Sequence, residues 1–181
     1  MSGDRDEDQL SERILQDRQH SLVSVTYCSA YQKRNSDQLV RHKKYIEALE
    51  HSGVQIQLGH YMVGSSKPCF HCGGTSEELN EKQTDINLAL CLFADAMRNH
   101  FDWAYLVSAD SDQAATARFL KKHFPEKKLV TVVPPNQQLS QNIMNFADGK
   151  RKLNRDDIEK CRFPSIIQTE TGFIRCPREY E

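Results

Sequence analysis

Asp102-Trp-Ala-Tyr-Leu-Val-Ser-Ala-Asp-Ser-Asp112 is the stretch that decides the fold. Trp103 to Ser108 is a short, nearly unbroken apolar run, the composition of a strand buried on both faces of a parallel sheet. Asp110-Ser-Asp112 stops it, and Gln113 to His123 reads as a helix. On the amino side, Ile86, Leu88, Ala89, Leu90, Leu92, Phe93, Ala96 and Met97 make a helix from Asp85 to about Asn99 apolar over most of its girth. That pattern predicts a helix buried against a sheet, with Thr84 as its N-cap. On the carboxyl side, Lys128-Leu-Val-Thr-Val-Val133 is a second buried strand, stopped by Pro134-Pro135. Strands alternating with helices mean an α/β fold with a mostly parallel sheet. Ligands of such sheets bind beyond the carboxyl ends of the strands, so the residues after Ser108 lie where chemistry is expected.

Working outward, Leu22 to Cys28 is a strand by its β-branched alternation, and Val54 to Tyr61 is another. Between them Asn35, Ser36 and Asp37 start a helix that carries Leu39, His42, Tyr45, Ile46 and Leu49 and ends at Gly53. Gly64 to Asn80 reads as a loop. Short helices are expected near Leu139–Asp148 and Arg155–Cys161, then a terminal hairpin or extended arm of Ser165 to Thr169 and Phe173 to Cys176. Three parts follow: a polar acidic leader over 1–21, the α/β domain over 22–150, and a helix with an extended arm over 151–181 that packs on the same domain.

The chain has 181 residues, with 24 basic and 25 acidic side chains and a formal net charge of -1. That length supports one core without disulfide staples. The charge excludes a strongly basic nucleic-acid binder on bulk electrostatics but leaves local basic surfaces open. Such groups occur at Arg41-His-Lys-Lys44, Lys121-Lys122 with Lys127-Lys128, and Lys150-Arg-Lys152 with Arg155. No run reaches membrane-spanning length and the first residues are polar, so no membrane partner and a cytoplasmic location are expected. The six cysteines are then reduced thiols by default. Cys69-Phe-His-Cys72 suits either a loop brace or half of a zinc site, and zinc would need two further ligands.

The chemical signal is acidic. Asp110 and Asp112 follow a buried strand directly, and Asp85 opens the apolar helix, where free backbone N–H groups favour negative charge. Carboxylates that converge repel one another unless a cation lies between them. Their hard oxygens suit Mg²⁺ or Mn²⁺, which polarise a phosphate and lower the pKa of an attacking water. The plainer reading is that Asp at a strand exit forms a turn or caps a helix.

Taken together, Glu81-Lys-Gln-Thr-Asp-Ile-Asn-Leu-Ala-Leu90 and Asp102 to Asp112 resemble the NYN family of PIN-like nucleases. Tyr45-Ile-Glu-Ala-Leu49, the strand end at Gly59, the loop of Cys69 and Cys72, and Val133-Pro-Pro135 fall in the family's order. The resemblance covers about residues 22 to 177. It implies a three-layer PIN-like, Rossmann-like fold and a metal-dependent ribonuclease with RNA as partner and Mg²⁺ or Mn²⁺ as cofactor. By position, Asp110 and Asp112 are metal ligands, and Asp85 is a third ligand or the water-orienting base. Ser108 and Ser111 contact the cluster or a phosphate, Lys82 contacts phosphate, and Asn87 supports a carboxylate.

The chain departs from the family in four places. Ala109 stands where glycine is usual, Gln113 replaces an apolar residue, and Asn136-Gln-Gln follows the proline pair where a basic residue is common. Nothing before Leu22 reads as the family's first, central strand, which ends in D-G-x-N and supplies an aspartate to the cluster. The resemblance therefore also admits a catalytically impaired module that binds RNA or protein. A phosphatase or nucleotidase using the same acids is a further enzyme class to test. A sheet without that strand would leave backbone groups unpaired. It is expected to be completed by a second copy or another chain, or to close on itself.

Overall fold

The computed structural model describes residues 9–15, 20–68 and 71–180. In chain order the elements are α1 (Gln9–Leu15), β1 (Thr26–Ala30), α2 (Ser36–His51), β2 (Gln55–Pro68), β3 (Thr75–Lys82), α3 (Thr84–Met97), β4 (Trp103–Val107), α4 (Gln113–His123), β5 (Lys128–Val133), α5 (Gln141–Met144), β6 (Gly149–Lys152), α6 (Arg155–Glu159), β7 (Ile166–Thr169) and β8 (Gly172–Arg175). The fold is α/β, with parallel strands between helices.

β4, β5 and β6 form an all-parallel sheet with β5 in the middle. Side chains alternate across it, as strand geometry requires. Leu106 and Leu129 join Ala96 of α3, Ala117 and Leu120 of α4 and Ile143 of α5 on one face. Val130, Val132 and Leu153 meet Ile14 of α1 on the other. Two helical layers thus enclose the sheet. Residues 9–15, within the polar leader, form a packed helix. Among the described side chains of α1 Ile14 is the buried one, which is why so polar a segment gives a weak apolar pattern. Arg13 fixes α1 further by donating to Asp157 of α6 at 2.7 Å.

Gly149-Lys-Arg-Lys152 has no apolar signal, so β6 is not expected from the sequence. Reciprocal hydrogen bonds place it. Asp148 donates its N–H to the Leu129 carbonyl at 2.7 Å and accepts the Leu129 N–H on its carboxylate at 2.8 Å. Lys121 and Lys128 reach the same carboxylate at 2.6 and 3.3 Å. Burial opposes ionisation of Asp148, but the bonds from Lys121, Leu129 and Lys128 outweigh it and hold the group below the usual carboxylate range. A depressed pKa contributes stability that is present above the unfolded value, roughly 3.9, and is lost as pH falls through the folded one. Asp148→Asn is expected to lower Tm by about 3–6 °C at pH 7, from a loss of about 1–2 kcal/mol. Melts followed by circular dichroism should show the difference shrinking below about pH 4.

β1 and β2 pair in parallel, and β2 turns into β3 as a long antiparallel hairpin with a register shift between Val63 and Ser66. The loop expected over Gly64–Asn80 is therefore mostly paired strand. Ser, Gly and polar residues hide the pattern, because a hairpin arm that bears little of the core carries no apolar alternation. Cys69 lies outside the described residues, so the Cys69–Cys72 pair does too, and Cys72 is exposed. Gly59 is needed where β2 passes the start of α3: a Cβ there would stand 2.3 Å from the Lys82 carbonyl oxygen.

α2 begins as expected, with Asn35 capping the Gln38 N–H at 3.0 Å. α3 does not. Thr84 is its first residue, and the cap position falls to Gln83 at φ 75, with no side-chain cap bond. α3 packs on β1, β2 and α4, but Ile86, Leu90 and Met97 form an exposed stripe. Only the inner half of the helix is covered, in contrast to the burial its composition predicts. The terminal hairpin β7–β8 forms with Ile166 opposite Arg175 and packs beside α2. α5 and α6 are shorter than the segments expected for them.

Among the described residues β1 pairs with β2 alone and β4 with β5 alone, so two three-stranded sheets each present an open edge there. Trp103 and Val107 of β4 are 41% and 45% exposed, whereas β5 is buried from Leu129 to Val133. An edge with free N–H and C=O groups is a template for another strand.

Candidate functional site

The carboxyl end of β4 builds the acidic turn. Ser108 continues the ladder by donating its N–H to the Val132 carbonyl at 3.2 Å. Its hydroxyl oxygen then accepts the Asp110 N–H at 3.1 Å, and an Asp110 carboxylate oxygen accepts the Asp112 N–H at 2.9 Å. These bonds are those of a turn former, so the plainer reading of Asp110 holds for one of its oxygens. The turn leads into α4 with Asp112 at the cap position, making no side-chain cap bond. Asp110, Ser111 and Asp112 are all exposed.

Gln113 joins this turn to α3. It is 2% exposed, yet its amide donates to an Asp85 carboxylate oxygen at 3.0 Å and accepts the Thr116 hydroxyl at 2.9 Å. A buried amide with both ends satisfied is fixed in orientation. Asp85 is thereby tied to the residue that follows Asp112. From the sequence, Gln113 stands out only as a departure from an apolar residue. A polar residue among the buried positions of an amphipathic helix is the signal that marks it. Asn87 makes no side-chain hydrogen bond among the described residues, so support of Asp85 falls to Gln113. Lys82 ends β3 with an exposed side chain.

Asp85 also borders β1. Burial first, then the neighbouring Cys91 thiol and the Asp85 carboxylate, push the Cys28 thiol up to about 11. Cys28 therefore stays a neutral thiol on that side of the site. Beyond it, Tyr61 donates to Glu81 at 2.8 Å, and His60 bonds Gln83 at 3.1 Å. Tyr27 and Tyr31 pack edge-on against Tyr45 and His42, so these rings serve the packing of β1 on α2.

Among the described residues no lysine or arginine pairs with Asp85, Asp110 or Asp112. Three uncompensated carboxylates are the donor chemistry of a hard divalent ion. They are not a closed cage: no three His, Cys, Asp or Glu side chains among the described residues form a group that could hold a metal. Mg²⁺ is commonly held by one or two carboxylates, with water and substrate phosphate making up the rest. The residues fit that open kind of site.

Parallel strands between helical layers, with Asp110 and Asp112 just beyond the carboxyl end of β4, define a Rossmann-like domain of the PIN-like class. The NYN domain family matches residues 2–154, and the chain belongs to that family. It is similar to a Pseudomonas putida (strain DSM 28022 / S16) protein named 6-hydroxy-3-succinoylpyridine 3-monooxygenase HspA, at 30% identity over 94 residues. That match takes in 50% of this chain and 30% of the relative, so the chain spans under a third of that protein's length. It also resembles the crystal structure of a protein of unknown function, VPA0982, from Vibrio parahaemolyticus RIMD 2210633. The TM-score is 0.55 at 17% identity, over 83% of this chain and 80% of that one, a likeness of fold alone. No helix among the described residues is long and apolar enough to cross a membrane.

Proposed function

We propose that the chain is an NYN-type ribonuclease that hydrolyses RNA phosphodiesters at the carboxyl end of β4. The observation that carries this is the bond from buried Gln113, the first residue of α4, to Asp85, which ties that carboxylate to the turn of Asp110 and Asp112, none of the three having a lysine or arginine partner among the described residues. Mg²⁺ or Mn²⁺ bound by Asp110 and Asp112 would polarise the phosphate and lower the pKa of its water. Asp85 has one carboxylate oxygen free of hydrogen bonds among the described residues; that oxygen takes a proton from the water as it attacks phosphorus, the P–O bond to the leaving ribose oxygen breaks, and solvent protonates the leaving oxygen. Ser108, Ser111 and Lys82 contact phosphate oxygens. An open, exposed site admits an extended polymer strand. The small aromatic substrate in the name of the Pseudomonas relative calls for a more enclosed apolar pocket.

One observation favours a second reading, an RNA- or protein-binding module impaired in catalysis: the acids do not complete a metal-binding group among the described residues. Incubation with single-stranded RNA and Mn²⁺ separates the two. Cleavage abolished by EDTA supports the ribonuclease, and tight binding in EDTA without cleavage supports the module. Turnover of small phosphomonoesters instead would point to a phosphatase.

The same proposal includes completion of the sheet by a strand from a second copy or another chain, since β1 and β4 each have an unpaired edge among the described residues. Light scattering across a concentration series is expected to show association of the isolated chain. A constant monomer mass would exclude the second copy. The cytoplasm is the proposed location, in keeping with the free thiols of Cys28, Cys72, Cys91, Cys161 and Cys176.

A further inference from the structure

Beyond the carboxyl ends of β5 and β6 lies a cavity of about 360 Å³, lined by Pro135, Asn136, Lys152, Leu153, Asn154 and Arg155. Its wall holds two cations, two amides and no carboxylate. Neither cation is committed elsewhere. Lys152 makes no hydrogen bond or ion pair among the described residues. Arg155 reaches only Glu159, at 3.8 Å, with its side chain 89% exposed, a pair of the kind that contributes little. The nearby Asp157 could have neutralised them, but both its oxygens are occupied. One accepts from Arg13 at 2.7 Å and the other from the Asn154 N–H at 3.0 Å. The other acid of that turn, Asp156, pairs with Lys160 at 2.7 Å, so no carboxylate of the lining faces the two cations.

The sheet register sets its distance from the acids. Val107 of β4 lies opposite Val132, and Val133 lies opposite Lys152, so the turns after β4, β5 and β6 leave the sheet at one level. Adjacent strands are about 4.8 Å apart, which puts β6 roughly 10 Å from β4. An acidic centre and a basic cavity at that separation match a chain of phosphates, not a single one. The loop between them, Pro134-Pro135-Asn136, carries no cation, and Asn136 turns it at φ 63.

We propose that this cavity is a second phosphate subsite. It would hold a backbone phosphate of single-stranded RNA one or two nucleotides from the phosphate at Asp110. Lys152 and Arg155 supply the charge, and the amides of Asn136 and Asn154 supply neutral donors. The subsite rests on the ribonuclease reading and narrows its substrate to a polynucleotide strand.

The test is fluorescence anisotropy with a short labelled single-stranded RNA in EDTA, at several salt concentrations, alongside cleavage in Mn²⁺. Lys152→Ala/Arg155→Ala is expected to weaken binding roughly tenfold, as removal of two charge-assisted hydrogen-bond donors implies. The slope of log affinity against log salt should fall by about 0.7, for the one phosphate no longer neutralised. Arg118→Ala/Lys122→Ala removes the same charge from α4 and should leave both values near those of the parent. Equal effects from the two double variants, or none from the first, would overturn the subsite. If the parent binds in this way but cleaves nothing, the ribonuclease reading fails while the subsite stands.

Discussion

Asp110→Asn is expected to lower RNA cleavage by about 10²–10³-fold, the scale seen when one preorganised charge partner of a transition state is removed. The substitution is narrow. Asp110 accepts the Asp112 N–H at 2.9 Å, and an asparagine side-chain oxygen can accept the same bond, so the turn and the start of α4 persist. What disappears is one negative charge at an exposed position. Thermal stability should change by no more than about 0.5 kcal/mol, as at most surface sites. RNA affinity in EDTA should hold or rise, because a carboxylate facing phosphate is removed. A gel assay with end-labelled single-stranded RNA and Mn²⁺ reads the rate. Cleavage equal to that of the parent chain would remove Asp110 from the active centre.

The parts of the fold legible in the sequence are those whose residues carry core packing. β5 falls at Lys128–Val133, as its apolar run indicates, because it is the middle strand of its sheet and is covered on both faces. α4 likewise runs over Gln113–His123. The elements without a sequence signal are held by polar bonds. β6 is placed by Asp148 and Leu129, and the β2–β3 hairpin by ladder bonds across polar residues. Apolar patterning also overstates cover, as the exposed Ile86, Leu90 and Met97 show, since helix composition does not report how many neighbours the fold supplies. The acids are legible for a similar reason. Asp110 and Asp112 interrupt an apolar run, whereas the role of Gln113 depends on a bond to a residue 28 positions away in sequence.

That bond leads to the second large effect. Gln113→Met keeps the volume and apolar packing of a fully buried side chain but removes the donor to Asp85 and the acceptor for Thr116. The Thr116 hydroxyl can turn to a carbonyl of the preceding helical turn, so little buried polarity is left unpaired. Folding should therefore survive, with Tm near that of the parent. Cleavage is expected to fall about 10–100-fold, the range found when a residue that orients a ligand or base is removed. Because Gln113 acts through Asp85, the fall should come with a higher Mn²⁺ concentration for half-maximal rate, which a purely structural role would not produce. Gln113→Glu is the complementary variant. It sets a second carboxylate against Asp85, and two carboxylates in contact do not both ionise readily. The rising limb of its pH–rate profile should then move to higher pH, while the methionine variant is slower at every pH. If Gln113→Met cleaves RNA at the parent rate with the same Mn²⁺ midpoint, the bond to Asp85 serves packing alone, and the acid works without a positioning residue.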